Sequence, residues 1–335
     1  CIRDRSTFAG VNYNLATVIY IKASAGGLTS DCSNSITVGA GAATQLAFTT
    51  HPGNATAGAT GTQPVVEIRD GSGNVVTSAT DTVALAAYTD SGCTSAATGT
   101  LSATTNPLGA TSGVSTFAGI KFSNAITIYL KASATGLTAA CSSAIAVSPA
   151  TATKLAFTTQ PSATATASAN FTTQPIVAIQ DPDGNTNTGN TDNITLAAFT
   201  DSGCTSAATG TLSATTNPLG ATSGVSTFAG VKFTNAITIY LKATATGLTA
   251  ACSSAIAVSA GTATKAAFTT QPSSSATAST NFATQPIVAI QDPDGNTNTG
   301  NTDNVTLAAF TDSGCTSAAT GTLSATTNPL GATSG

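Results

Sequence analysis

The sequence predicts an all-β protein, a tandem array of β-sandwich modules of about 111 residues each. Three observations predict it. The run SGCTSAATGTLSATTNPLGATSGVSTFAG occupies 91–119, returns unchanged at 202–230 and begins again at 313; a fixed period marks an array of similar units. Val, Ile, Thr and Phe come in short runs between Gly, Pro, Asn and Asp, the pattern of many short strands joined by turns. No segment holds a helical 3.6-residue period.

The copy at 150–260 shows the elements in order. KLAFTT at 154–159 alternates and closes on Gln160-Pro161, which makes it a first strand. QPIVAIQ at 174–180 is a second, followed by the turn DPDGN at 181–185, where Asp and Asn bond their own backbone and Gly184 takes a positive φ. NITLAAFT at 193–200 is a third, and a short strand is expected at 210–214. VSTFAGVKF at 225–233, AITIYLKAT at 236–244 and 251–259 complete about seven strands, enough for a sandwich. The expected core is Leu155, Phe157, Ile179, Leu196, Phe228, Ile237, Ile239, Leu241 and Ile256 or their strand neighbours.

Chain length allows two or three domains, and the period divides the 335 residues into 41–149, 150–260 and two partial modules, 1–40 and 261–335. Only 7% of residues are charged, the net charge is −4, and the ten Lys and Arg are scattered. Nucleic acid is not an expected partner, because its affinity needs clustered cations. No apolar stretch reaches the roughly 18–20 residues of a membrane-spanning helix.

Seven cysteines fall at 1, 32, 93, 141, 204, 252 and 315. Six belong to two repeating positions, which pairs Cys93 with Cys141 and Cys204 with Cys252. Each bond would close a loop of about 49 residues, worth about 4 kcal/mol in the chain-entropy model. No CxxC occurs, so zinc is not expected. Disulfides imply an oxidising compartment, hence an extracellular or cell-surface location. Cys32 and Cys315 have no partner in their own half-modules and are expected to pair between two molecules. Cys1 is left over, as a lipoprotein-type terminus, an intermolecular thiol or a boundary.

ATKLAFTTQP, TQPIVAIQDPDGN, ITLAAF, VSTFAGVKF and IYLKATATGLT resemble the bacterial immunoglobulin-like (Big-type) tandem repeats of large secreted and cell-surface proteins. The resemblance spans essentially the whole chain. It implies immunoglobulin-like sandwiches and a role as stalk, adhesin shaft or fibre.

No catalytic constellation assembles. His51 is the sole histidine and stands where other copies carry Gln, so it reads as a tolerated surface change and not as a catalytic base. Acidic pairs occur only in turns rich in Asn and Gly, with no apolar run to raise a pKa. The protein is therefore read as a non-enzyme with no cofactor. Asp181 and Asp183, repeated as Asp292 and Asp294, place oxygen ligands at alternating positions that could suit Ca²⁺. The run lacks a terminal Glu and the first copy reads RDGSGNVV, so a plain β-turn is the preferred reading. Asn54, Asn170, Asn193 and Asn304 open N-x-S/T patterns that could carry surface glycans. Lys154 and Lys265 raise a Lys–Asn isopeptide, which Gln45 in the equivalent place argues against.

The two partial modules are complementary. Residues 261–335 hold 75 positions and 6–40 hold 35, together one module. The expectation is a homopolymer: strands within 6–37 of one molecule, with Val18, Ile19, Ile21 and Ile36 among their core residues, enter the sandwich begun by 261–335 of the next. A head-to-tail contact of this kind propagates as a filament. The alternative is a stalk segment of a giant cell-surface adhesin whose binding tip lies elsewhere.

Overall fold

In the computed structural model, residues 5–335 are described, so the reading of Cys1 lies outside the described residues. Among the described residues every regular element is a strand. None forms a helix long and apolar enough to cross a membrane. The chain divides into two units, 1–150 with 182–185, and 151–181 with 186–335.

The first unit contains a closed sandwich of immunoglobulin-like type. Val114–Thr116, Val65–Asp70 and Ala43–Thr50 form one antiparallel sheet in that order. The facing sheet runs Leu108–Gly109, Thr82–Tyr88, Thr127–Ser133, Ile145–Ser148 and Ala55–Thr56, with the last pair parallel. Period-2 alternation decides which side chains meet. Val66 and Ile68 from the first sheet pack against Val83, Leu85, Ile128 and Leu130 from the second, all 5% exposed or less.

The second unit repeats the plan. Lys154–Thr159, Ile176–Gln180 and Val225–Thr227 form one sheet. Leu219–Gly220, Asn193–Phe199, Thr238–Thr244, Ile256–Ser259 and Thr164–Thr166 form the other. Seven of the nine expected core residues are buried, while Phe157 and Ile237 are half-buried at its margin. Their strand neighbours Val177, Ile194, Val231, Phe233 and Val258 are equally buried, and so is Phe171, which lies outside the strands.

One expected strand needs correction. The run 225–233 is two strands that serve different sheets: Val225–Thr227 pairs with Ile176–Gln180, and Lys232–Phe233 pairs with Leu212–Ser213. The break lies at Gly230, whose φ is 66° and where a Cβ would stand 2.6 Å from Thr215 Oγ1. Only glycine takes that backbone at so close an approach. The run 251–259 likewise divides into Ala251–Cys252 and Ile256–Ser259, which pair with successive stretches of Thr238–Thr244.

The remaining segments are open. In the first unit, residues 6–38 form two small antiparallel pairs, Val18–Ile19 with Ile36–Thr37 and Lys22–Ala23 with Asp31–Cys32. In the second, 261–335 forms Lys265–Thr270 with Ile287–Gln291 and Asn304–Val305 with Leu330–Gly331.

Candidate functional site

The open segments carry the features that a closed sandwich hides. Among the described residues, every strongly exposed large apolar side chain except Ile126 lies within 8–36 or 268–330. In the second unit the open half has a cleft of about 610 Å³ lined by Ile287, Val288, Val305, Leu307 and Leu330. The equivalents of these residues in the closed sandwich, Ile176, Val177, Ile194, Leu196 and Leu219, stand one period earlier in the chain. There Val177, Ile194 and Leu196 lie in one core with Phe228, Ile239 and Leu241. The cleft therefore lies where 225–241 packs in the closed sandwich.

Residues 6–38 have the matching sequence and register. Val18 pairs with Thr37 and Ile19 with Ile36, as Thr238 pairs with Ala257 and Ile239 with Ile256 in the closed sandwich. That register places Ile19, Ile21 and Ile36 on the positions of Ile239, Leu241 and Ile256, all fully buried there. Val18, expected among the core donors, corresponds in register to Thr238, which is exposed. The period-2 pleat admits only one of Val18 and Ile19 to the interior. Phe8 and Val11, which stand at the positions of Phe228 and Val231, are further candidates.

The cysteines have a built setting. Cys93 is bonded to Cys141 and Cys204 to Cys252, with Cα–Cα distances of 6.1 and 6.2 Å. In each DSGCTS turn the Asp carboxylate accepts bonds from the following Thr and Ser. Asp90 takes Ser95 N at 2.6 Å and the Thr94 hydroxyl at 3.1 Å. The Ser95 amide, foremost among these bonds, holds the Asp90 carboxyl below the ordinary carboxylate range. The cage turns Cys93 into the left-handed region at φ 52°.

The open half carries the same cage around a free thiol. Asp312 accepts Ser317 N at 2.6 Å and the Thr316 hydroxyl at 2.8 Å, and Cys315 has φ 51°. Its thiol is free and exposed, as is that of Cys32. Cys32 sits opposite Lys22, just as the bonded Cys141 and Cys252 sit opposite Lys131 and Lys242.

The acidic turns spend their carboxylates on protein donors. Asp70 accepts from Gly41 N, Ser72 N, Asn74 N and the Asn74 amide at 2.8–2.9 Å. The Asn74 side chain, then Gly41, bring its pKa down to about 2. Asp292 makes the same bonds to Gly261 and Asn296. Burial pushes its pKa up, but the bonds from Asn296 and Gly261 outweigh that and hold it below the ordinary value. Among the described residues no group of three or more His, Cys, Asp or Glu is placed to hold a metal ion.

His51 is exposed and makes the bond that Gln makes in the next copy. Its Nδ1 accepts Ser143 N at 2.9 Å, and Gln160 Oε1 accepts Ser254 N at the same distance. The ring also stacks on Phe48. The two side chains share one task, to hold the backbone after the second cysteine. Of the N-x-S/T asparagines, Asn54 accepts Ala146 N through its own Oδ1, while Asn170, Asn193 and Asn304 are exposed. Lys265 Nζ donates to Pro293 O at 3.1 Å.

No protein-family model matches the chain, and comparison with curated proteins finds no match. Among solved structures the chain is similar to the adhesin InvE of Yersinia pseudotuberculosis, with 17% identity, TM-score 0.25, and coverage of 62% of this chain and 56% of that one. It is similar also to domains 4–9 of the surface-layer protein SbsC, with 14% identity, TM-score 0.26 and coverage of 81% and 40%. Extracellular domains 3–5 of Drosophila OTK match at 11% identity, TM-score 0.28 and coverage of 70% and 72%. The chain thus spans a little over half the length of the InvE chain it matches.

Proposed function

We propose that the protein is a structural subunit of an extracellular filament built from immunoglobulin-like sandwiches. Copies join head to tail when 6–38 of one completes 261–335 of another, and Cys32 then bonds to Cys315 of that neighbour. The observation that carries this reading is the confinement of exposed large apolar side chains to those two segments, Ile126 excepted. Phe8 is 79% exposed where Phe228 is 1% exposed, and Ile287 and Leu330 line the receiving cleft at 58% and 60%. Burying such side chains contributes about 1.5–3 kcal/mol each before ordering costs. An unpaired strand edge invites β-strand addition. The function is mechanical, with no turnover and no cofactor, and the cysteine pairs support an oxidising, extracytoplasmic setting.

A second reading, a stalk segment of a giant cell-surface adhesin, draws on the repeat itself. The run at 313–335 matches 202–224 residue for residue, so the same strands could be delivered by further modules of one polypeptide. Behaviour in solution separates the two. The 335-residue chain should form end-to-end assemblies in sedimentation and electron microscopy. Deleting 1–40 should abolish them, and Cys32→Ser should make them dissociate at lower denaturant. A chain that stays monomeric at high concentration under oxidising conditions favours the stalk and rejects assembly by completion. Chelation should leave assembly and folding unchanged.

A further inference from the structure

We infer that the asparagine closing each D-x-x-G-N turn is a binding site for peptide backbone, and that within each unit it holds the open segment to the closed sandwich beside it. In the second unit Asn296 Oδ1 accepts Ala236 N at 2.8 Å, and Asn296 Nδ2 donates to Thr234 O at 2.8 Å. The amide thus reads both backbone groups of a single Thr-x-Ala segment, two residues apart as on a strand edge. Its second Nδ2 proton goes to Asp292 Oδ2 at 2.8 Å, and that oxygen also accepts Gly261 N at 2.9 Å. Asp292 is 1% exposed, so this carboxylate works as a fixed post and the amide as the hand. The Ser168 hydroxyl, from the closed sandwich, bonds Asp294 of the same turn and adds a second point of attachment.

The first unit contains the same device. Asn74 Oδ1 accepts Ala16 N at 2.9 Å and Asn74 Nδ2 donates to Asn14 O at 2.8 Å. Asp70 holds the amide at 2.9 Å. Asn185, which groups with that unit, accepts Ala125 N through Oδ1 and donates through Nδ2 to Ser123 O, at 2.8 Å each. The target reads Asn-Leu-Ala, Ser-Asn-Ala and Thr-Asn-Ala in the three cases. The site accepts the first side chain as Asn, Ser or Thr because it contacts backbone groups.

The chemistry demands an amide. One oxygen must accept while one nitrogen donates twice, to a carbonyl and to a carboxylate, and among ordinary side chains only Asn and Gln offer both. An Asp in its place would face the neighbouring carboxylate and the peptide carbonyl with no proton to give. The bonds hold 261–335 against 150–260, and 6–38 against 41–149, where a simple linker would leave them to swing.

Hydrogen exchange read by mass spectrometry on the full chain tests this, and works whether or not copies join. Asn296→Ala should speed exchange of the peptide containing Ala236 by about tenfold, the loss of one hydrogen bond. The peptide containing Leu241, whose N–H donates to Ser253 Oγ at 2.8 Å, should keep its rate. Asn296→Asp should behave like the Ala variant. Asn74→Ala, seated on a closed sandwich, should speed exchange at Ala16 in the same way and covers the case that the open half tolerates no change. Unaltered exchange at Ala236 and Ala16 would overturn the inference, as would acceleration that reaches Leu241 equally. An intact Ala236 rate in Asn296→Asp would overturn the need for an amide. None of these readouts depends on filament formation, so this site and the assembly reading stand or fall separately.

Discussion

Residues 193–210 and 304–321 differ at one position, Ile194 against Val305, yet they fold differently. In the closed sandwich Asn193–Phe199 is a seven-residue strand paired along Thr238–Thr244. In the open half only Asn304–Val305 is a strand. Phe171 is 2% exposed and its counterpart Phe282 is 37% exposed. Local sequence cannot explain this, because the local sequence is almost the same. A strand needs a partner for its backbone and a facing layer for its side chains, and both come from residues about 40 positions away. What stays constant is equally informative. The DSGCTS cage keeps its bonds in both settings, because its partners lie within a few residues.

The largest effect should come from removing a core phenylalanine. Phe228→Ala in the closed sandwich should cost about 3–5 kcal/mol in denaturant unfolding. Phe8→Ala should leave the unfolding of both closed sandwiches unchanged and weaken end-to-end assembly. If Phe8→Ala destabilises the isolated chain as Phe228→Ala does, the distinction between open and closed segments collapses.

Next in size is the cysteine comparison. Cys204→Ser should lower stability by about 4 kcal/mol, the value of its loop in the unfolded chain. Cys315→Ser should leave the unassembled chain unaffected, since its thiol is free. Thermal melts of the two variants under oxidising conditions would show the gap.

Acid should act on the local turns. Asp70 has a folded pKa of about 2, against an ordinary value of 3.8. Its stabilising contribution is complete above the unfolded value and is lost as pH falls from about 4 through about 2. Asp70→Asn should therefore flatten the stability profile of 41–149 across that window, and an unchanged slope would show that the turn is not coupled to folding. Asp312 is also held low, by Ser317 first, so the open half should share the same acid sensitivity in its cysteine turn.

The smallest effect belongs to His51. Because Gln160 makes the equivalent bond, His51→Gln should change stability by no more than about 0.5 kcal/mol. His51→Ala leaves Ser143 N without its acceptor and should cost about 1 kcal/mol. Equal melting of the two variants would deny the bond any value.

Much of the architecture was legible in the residues alone. Alternation in IVAIQ, ITLAAF and TIYLKA placed Ile179, Leu196, Ile239 and Leu241 in the interior, since a pleated strand sends every second side chain the same way. Phe171 escaped because it lies outside a regular strand, where no period marks it. The division at Gly230 escaped because an unbroken apolar run conceals a change of sheet. The phase of the VIYI run at 18–21 became readable only from its register against Ile36–Thr37. The asparagine site was visible only as part of a turn, because its ligand is backbone some 60 residues earlier.

By itself, then, the sequence determined the period, the strand segments, the turn chemistry around Asp90, Asp201 and Asp312, and the two repeating cysteine positions. These depend on residues near one another in the chain. Tertiary structure alone decided which strands share a sheet, how far 193–199 and 304–310 extend, and which apolar faces are covered. Those outcomes depend on hydrogen-bond partners and facing side chains brought from distant positions, and near-identical segments differ wherever those partners are absent.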